Sequence, residues 1–165
     1  MLHGNLKVEF EPERAPRRHP ATQTLADFLI GNCSPGTAYL LRQHARLCQR
    51  CGSLLEEIGA ASRRCDEVEL RSRELISPGV VASTLVGVAG LGEIVYYLQA
   101  EPGASMPLRR PGELCELLVL GGKIQIESEV LAAGDFIVLE DAEQGQVLGR
   151  DAFSGLATAP QPDVR

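Results

Sequence analysis

The feature that most constrains the fold of this chain is a change of hydrophobic rhythm at Ser77-Pro78-Gly79. Before this break, apolar residues recur at helical spacing. After it, short β-rich segments are separated by Gly, Pro or Asp roughly every 8–12 residues, which is typical of an antiparallel sandwich or barrel. We therefore predict an α+β chain of two domains: a small helical bundle over 19–77 and an antiparallel β-barrel over 78–165.

Four helical segments are predicted ahead of the break. The first covers about 20–32, and the second begins at the capping pair Ser34-Pro35 and runs through Cys48. The third covers about 51–64, and a short charged fourth covers 66–76. Residues 1–18 are polar, with two prolines and mixed charge, and we expect them to form a mobile arm.

Composition argues against nucleic acid and membranes as partners. The chain has no Trp, only 4% aromatic residues and a net charge of -6, which disfavours base stacking and phosphate binding. The charge is uneven, since residues 1–77 hold 11 basic and 10 acidic residues and residues 78–165 hold 5 and 12. No signal peptide and no apolar run of about 20 residues is recognisable, so we expect a cytoplasmic protein without a membrane span.

The sequence HARLCQRC, His44 to Cys51, carries the candidate chemistry. On a helix, His44 and Cys48 share one face, and a turn can bring Cys51 to the same point, which suits a tetrahedral zinc ion. His19 stands at the head of the preceding helix and is the favoured fourth ligand. The reserve ligands are His3, Cys33 and Cys65.

The same eight residues are also compatible with a redox dithiol or with ordinary packing. A redox dithiol is disfavoured because no βαβ pattern surrounds the two cysteines. Packing residues that coincide with the ligand spacing stay an open alternative. Zinc is expected to act structurally, since a helical domain of about 60 residues can hardly build a sufficient apolar core.

With His19 upstream, HARLCQRC resembles the zinc-binding anti-sigma motif, a His followed by H-x3-C-x2-C. The β-rich half resembles a cupin, and together they resemble ChrR-type anti-sigma factors over about residues 17–160. The resemblance implies that zinc is bound by His19, His44, Cys48 and Cys51.

The same resemblance also implies a partner and a signal. The helical domain would sequester an extracytoplasmic-function sigma factor, and the cupin-like domain would modulate its release in an oxidative-stress type response. The candidate partner-binding residues are Leu25, Leu29, Leu40, Leu54 and Ile58.

The β-rich half departs from the cupin pattern at its metal positions. The degenerate positions are Arg109, Pro111, Cys115 (or Glu116) and Gly145, and no histidine follows His44. We therefore expect an empty cupin site and no enzymatic activity. The barrel is then a scaffold, a possible homo-oligomer surface or a small-molecule pocket, so the alternative function is a small-molecule-binding cupin-like regulator with an accessory structural zinc module.

Overall fold

The computed structural model describes residues 14–57, 68–88, 90, 92–108, 114–139, 142 and 144–161, and the backbone of residues 4–6. These ranges contain helices α1 (Thr22–Leu29), α2 (Pro35–Leu47) and α3 (Gln49–Glu57). Their strands are β1 (Gly4–Leu6), β2 (Val68–Ser77), β3 (Val80–Val86), β4 (Glu93–Ala100), β5 (Ser105–Pro107), β6 (Glu116–Gly121), β7 (Lys123–Ile126), β8 (Glu129–Ala132), β9 (Phe136–Val138), β10 (Gln144–Leu148) and β11 (Phe153–Pro160).

Helices α2 and α3 are separated by a single residue, Cys48. The α2 helix begins where the Ser34 hydroxyl accepts the Thr37 amide at 3.2 Å, and it ends where the Cys48 backbone turns extended. The two helices then pack closely, because a Cβ on Gly52 would lie 2.5 Å from the Ala45 carbonyl oxygen. A glycine is therefore needed where α3 crosses α2.

The β part is built from antiparallel pairs. The larger sheet has the strand order β1-β2-β3-β4-β11-β6-β9, and the smaller has the order β5-β10-β7-β8. Side chains from both sheets, such as Leu117 of β6 and Ile124 of β7, form one buried cluster. The predicted β-barrel is thus a jelly-roll-like sandwich of two sheets.

A second buried cluster joins the helices to the outer face of the larger sheet. Leu40 and Leu41 of α2 meet Leu118 and Leu120 of β6 in this cluster. Strand β6 is therefore covered on both faces, which explains why its sequence is a continuous apolar run rather than an alternation. The helical part is packed on the sandwich, not joined to it by a linker alone.

The structure corrects the predicted boundary between the two parts. The segment 66–76, predicted as a fourth helix, lies mostly in β2, which pairs with β1 and β3. Apolar Leu70 alternates with charged Glu69 and Arg71, as expected for a strand with one face packed and one face in water. Leu70 packs against the second cluster. The boundary predicted after residue 77 therefore falls inside the β2–β3 hairpin.

Part of the segment predicted as a mobile arm makes contacts with the sandwich where the structure describes it. Strand β1 pairs with β2, and the backbone amides of Arg17 and Arg18 donate to the carboxylate of Asp135. Residues 14–18 are therefore fixed on the sandwich. Across the described ranges, no helix has the length and apolar character needed to cross a membrane.

Candidate metal centre

Four side chains from three consecutive pieces of chain meet at one point. His19 precedes α1, His44 lies in the last turn of α2, Cys48 joins α2 to α3, and Cys51 lies in the first turn of α3. Their ligand atoms all lie within 4.8 Å of one another. Three of the four residues are buried and His19 is half-buried, so the cluster is largely closed to bulk water.

The distances in this cluster suit a small tetrahedral ion. His19 Nδ1 lies 3.4 Å from Cys48 Sγ and 3.6 Å from Cys51 Sγ. Zinc bonds of about 2.3 Å to sulfur and 2.0–2.1 Å to nitrogen place tetrahedral ligands about 3.3–3.8 Å apart. The two measured separations fall in that range.

His44 is oriented as a metal ligand needs to be. Its Nδ1 lies 2.7 Å from the carbonyl oxygen of Gly134, which can only accept, so Nδ1 carries the proton. The other ring nitrogen, Nε2, is buried and makes no hydrogen bond. A buried acceptor without a partner is costly, and a metal ion at the cluster would satisfy it.

Without a metal, the environment opposes charge on these groups. Burial lowers the pKa of His44 to about 4, and the hydrogen bond to Gly134 offsets only part of that effect. Burial, followed by the neighbouring Cys48, raises the pKa of the Cys51 thiol to about 11. The His44 imidazole is thus held neutral, as a ligand must be, and metal binding would displace the proton of the Cys51 thiol.

The residues that support the four candidate ligands without being ligands themselves were not predicted from the sequence. The two histidine-bearing segments are contacted by Gly134 and Asp135, in the turn between β8 and β9, and by Phe136, the first residue of β9. Burial alone would raise the pKa of the Asp135 carboxyl, but four donated hydrogen bonds outweigh it and lower the pKa below its usual value. The only signal in the sequence is a Gly-Asp pair in a turn, which many proteins share.

The reserve ligands do not join the cluster where they are described. Cys33 lies at the other end of α2, half-buried against the second apolar cluster. His3 and Cys65 lie outside the described residues. Within the described residues, the group of His19, His44, Cys48 and Cys51 is the only one with three or more potential ligands.

The degenerate cupin positions are placed only in part. Arg109 and Pro111 lie outside the described residues. Cys115 is exposed. Gly145 lies inside the sandwich, where a Cβ would come within 2.5 Å of the Ile124 side chain. Glu116 instead turns toward α2, where it accepts the Thr37 hydroxyl at 2.9 Å.

The candidate partner-binding leucines separate into buried and exposed residues. Leu40 is 0% exposed and belongs to the second apolar cluster, so in this structure it is part of the core. Leu25 is half-buried against that cluster. Leu29 and Leu54 are 37% and 44% exposed and remain available, whereas Ile58 lies outside the described residues.

Comparisons with known proteins identify the fold. No family model and no curated protein matches the chain. A chain in the crystal structure of Rhodobacter sphaeroides SigE in complex with the anti-sigma ChrR matches with a TM-score of 0.70 at 18% identity. The match covers 88% of this chain and 100% of that one.

Two further structures match the chain over a shorter length. KdgF from a Halomonas species matches at 17% identity and TM-score 0.43, over 56% of this chain and 89% of that one. A cupin-2 domain from Rhodospirillum rubrum matches at 20% identity and TM-score 0.43, over 62% and 76%. These scores are too low to carry an argument. The chain therefore shares the fold of the matched chain from the SigE–ChrR complex, across its helical part and its β-sandwich.

Proposed function

We propose that this chain is a zinc-binding anti-sigma factor without catalytic activity. The observation that carries the proposal is the four-residue centre of His19, His44, Cys48 and Cys51, lying in a fold shared with a chain from a complex of a sigma factor with its anti-sigma. The expected partner is an extracytoplasmic-function sigma factor. The protein is expected to act in the cytoplasm, where sigma factors meet RNA polymerase.

Zinc is the metal that this donor set favours. Two thiolates and two imidazoles in tetrahedral array are typical of structural zinc, whereas Mg²⁺ and Ca²⁺ require oxygen ligands. Four protein ligands leave no open position for a substrate, so the ion would stabilise the fold rather than catalyse a reaction. It would hold α2, α3 and the segment before α1 in one arrangement.

The sigma factor would bind the exposed apolar side chains of the helices. Leu29 of α1 and Leu54 of α3 are 37% and 44% exposed. Ile30, which follows α1, is 76% exposed. Exposed apolar side chains are the positions at which a partner protein could bury apolar surface.

A pull-down with the full chain tests the partner. Co-expression with the sigma factor encoded beside it should yield a stable complex, and Leu54→Asp should weaken that complex at least tenfold. Val130→Asp is the matched control, because Val130 on the smaller sheet is 45% exposed, almost the same as Leu54. Failure of any extracytoplasmic-function sigma factor to co-purify with the wild type would reject the proposal.

The β-sandwich would modulate release of the sigma factor in an oxidative-stress type response. Oxidation of the Cys48 or Cys51 thiolate would remove a zinc ligand and loosen the helices. The sandwich also offers a surface for a homo-oligomer. Treatment of the complex with an organic peroxide should release the sigma factor, and a complex that survives stoichiometric oxidation of both thiols would exclude this route.

A cleft favours a second candidate function, a cupin-like regulator that binds a small molecule. The cleft, about 580 Å³ in volume, opens between the segment before α1 and the sandwich and is lined by Arg18, His19, Phe136 and Ile137 among others. This size suits a metabolite. A thermal-shift screen with metabolites should then find a ligand that raises the melting temperature by several degrees, and Ile137→Trp, which would fill the cleft, should abolish the shift.

A further inference from the structure

The turn between β8 and β9 contacts both histidines of the candidate metal centre or their immediate neighbours. The Gly134 carbonyl accepts from His44 Nδ1 at 2.7 Å. The Phe136 amide donates to the Arg18 carbonyl at 3.0 Å, and the Phe136 ring lies edge-on to His44 with centroids 6.2 Å apart. Three consecutive residues of the β-sandwich thus support ligands that belong to the helical part.

Asp135 ties down the chain directly before His19. Its Oδ1 accepts the backbone amides of Arg17 and Arg18 at 2.7 and 3.0 Å. Its Oδ2 accepts the Arg14 guanidinium at 2.8 Å and the Ala132 amide at 2.9 Å. The carboxylate is 1% exposed and fully used by these donors, so it fixes the segment in one position.

The glycine of the turn lets this segment approach closely. Gly134 has φ 90°, and a Cβ there would lie 2.5 Å from the Cγ of Pro16. Pro16 is buried against the turn. The segment therefore packs directly onto the backbone of the sandwich.

We propose that residues 134–136, at the start of β9 and in the turn before it, form the outer shell of the zinc centre, so that zinc binding and the docking of residues 14–19 on the β-sandwich are one linked equilibrium. This inference rests on the proposed zinc site. His19 lies on irregular chain with no helix or strand to position it, so the contacts of Asp135 supply its position. Linkage is reciprocal: zinc strengthens the docking by the same factor by which docking strengthens zinc binding.

The consequence is that the stability of the zinc centre in the helical part is coupled to the conformation of the β-sandwich. Loss of zinc releases His19 and loosens residues 14–19 from the sandwich, although these residues lie far from β8 in sequence. Conversely, a change in the sandwich that moves the turn weakens the metal centre. The β-sandwich therefore acts on the zinc centre without contributing a metal ligand.

Amide hydrogen exchange of the full-length wild type tests this linkage without any substitution. The Arg17 and Arg18 amides should exchange at least tenfold faster after zinc is removed with a chelator. The Val147 amide, which donates to the Ala104 carbonyl within the sandwich at 2.9 Å and does not involve this turn, should change little. Equal exchange of the Arg17 and Arg18 amides with and without zinc would overturn the inference.

A pair of variants measures the reciprocal effect. Asp135→Asn should weaken zinc binding about 10- to 100-fold in competition with a chromophoric chelator. Glu69→Gln is the control, because it removes an exposed ion pair to Arg71 within β2, outside the docked segment, and should retain wild-type affinity. A folded Asp135→Asn with wild-type zinc affinity contradicts the linkage alone, whereas a wild type that binds no zinc contradicts the metal site itself.

Discussion

At the scale of single residues, His44 explains most of the chemistry of the centre. Its protonated Nδ1 is used by Gly134, so the buried Nε2 has an available lone pair and no partner in the protein. Leaving such an atom unsatisfied is unfavourable, and rotating the ring to relieve it would break the bond to Gly134. The position of this one nitrogen therefore supports the proposed role of His44 as a metal ligand rather than a packing residue.

Substitution of Gly134 tests the close packing around His44. Gly134→Ala should lower the free energy of unfolding by about 1–3 kcal/mol, because φ is 90° and the new Cβ would clash with Pro16. Gly149→Ala is the matched control, with φ 80° and no atom within 4 Å of the added Cβ. Urea denaturation should show the larger loss at residue 134, and equal losses would mean that Pro16 does not pack there.

At the scale of elements, α2 is held at both ends by the β-sandwich. At its start, the Glu93 carboxylate accepts the Ser34 hydroxyl at 2.7 Å and the Gly36 amide at 3.0 Å. At its end, His44 donates to Gly134. A carboxylate at a helix N-terminus also interacts favourably with the helix dipole. The helix is therefore oriented by the sheet as well as by its neighbouring helices.

The two faces of the helices should respond differently to truncation. Leu40→Ala should destabilise the fold by about 2–5 kcal/mol, because Leu40 is fully buried between α2 and the sheet. Leu54→Ala should change stability by less than about 0.5 kcal/mol, because its side chain is substantially exposed. Urea denaturation distinguishes the two, and a similar effect at both positions would contradict the packing described for α2.

The half-buried carboxyl of Glu116 predicts a pH dependence. Burial raises its pKa, and hydrogen bonds from Thr37 and Thr158 offset only part of the rise. The folded chain then binds this proton more tightly than the unfolded chain, so the contribution to stability is lost as pH rises from the unfolded pKa through the raised folded pKa.

Glu116→Gln isolates this effect. The stability of the variant relative to the wild type should increase as pH is raised from about 4.5, the usual glutamate range, towards 8. Urea denaturation at several pH values measures the difference in the free energy of unfolding between the variant and the wild type. Because both proteins share all other titratable groups, the contributions of those groups cancel in this difference. Glu56→Gln, an exposed position on α3, serves as the control. A difference that does not vary with pH would contradict the burial of Glu116.

The features of this structure that depend on short-range geometry could be predicted from the sequence. The spacing of His44, Cys48 and Cys51 predicts their meeting because it depends only on helix geometry and one turn. The contacts of Gly134 and Asp135 span 90 and 117 or more residues, so no local pattern reveals them. The helix predicted over 66–76 was wrong for a related reason: its strand is stabilised by pairing with β1 and β3, which overrides its local pattern.

At the scale of the whole molecule, the helical part and the β-sandwich share one buried cluster. The apolar face of α2 is covered by β6 and β11, which contribute Leu118, Leu120 and Leu156. A helical unit cut from the chain would leave that face in water. The helical part and the β-sandwich expected from the sequence thus pack against each other through this cluster.

A fragment of residues 1–77 tests this arrangement. With zinc present, it should bind the dye ANS more strongly than the full chain and unfold at a lower temperature, since Leu40 and Leu41 lose their partners on the sheet. The full chain without zinc is the useful comparison, because it separates the effect of the metal from that of the sandwich. A fragment as stable as the full chain, without ANS binding, would contradict the shared core.

The most direct test of the central claim is the zinc content of the purified full-length protein by native mass spectrometry. We predict one zinc per chain in the wild type and none in Cys48→Ser, whereas Cys33→Ser, which changes a cysteine outside the cluster, should retain the ion. A fully folded wild type without zinc, or a Cys48→Ser variant that binds zinc as tightly as the wild type, would contradict the account.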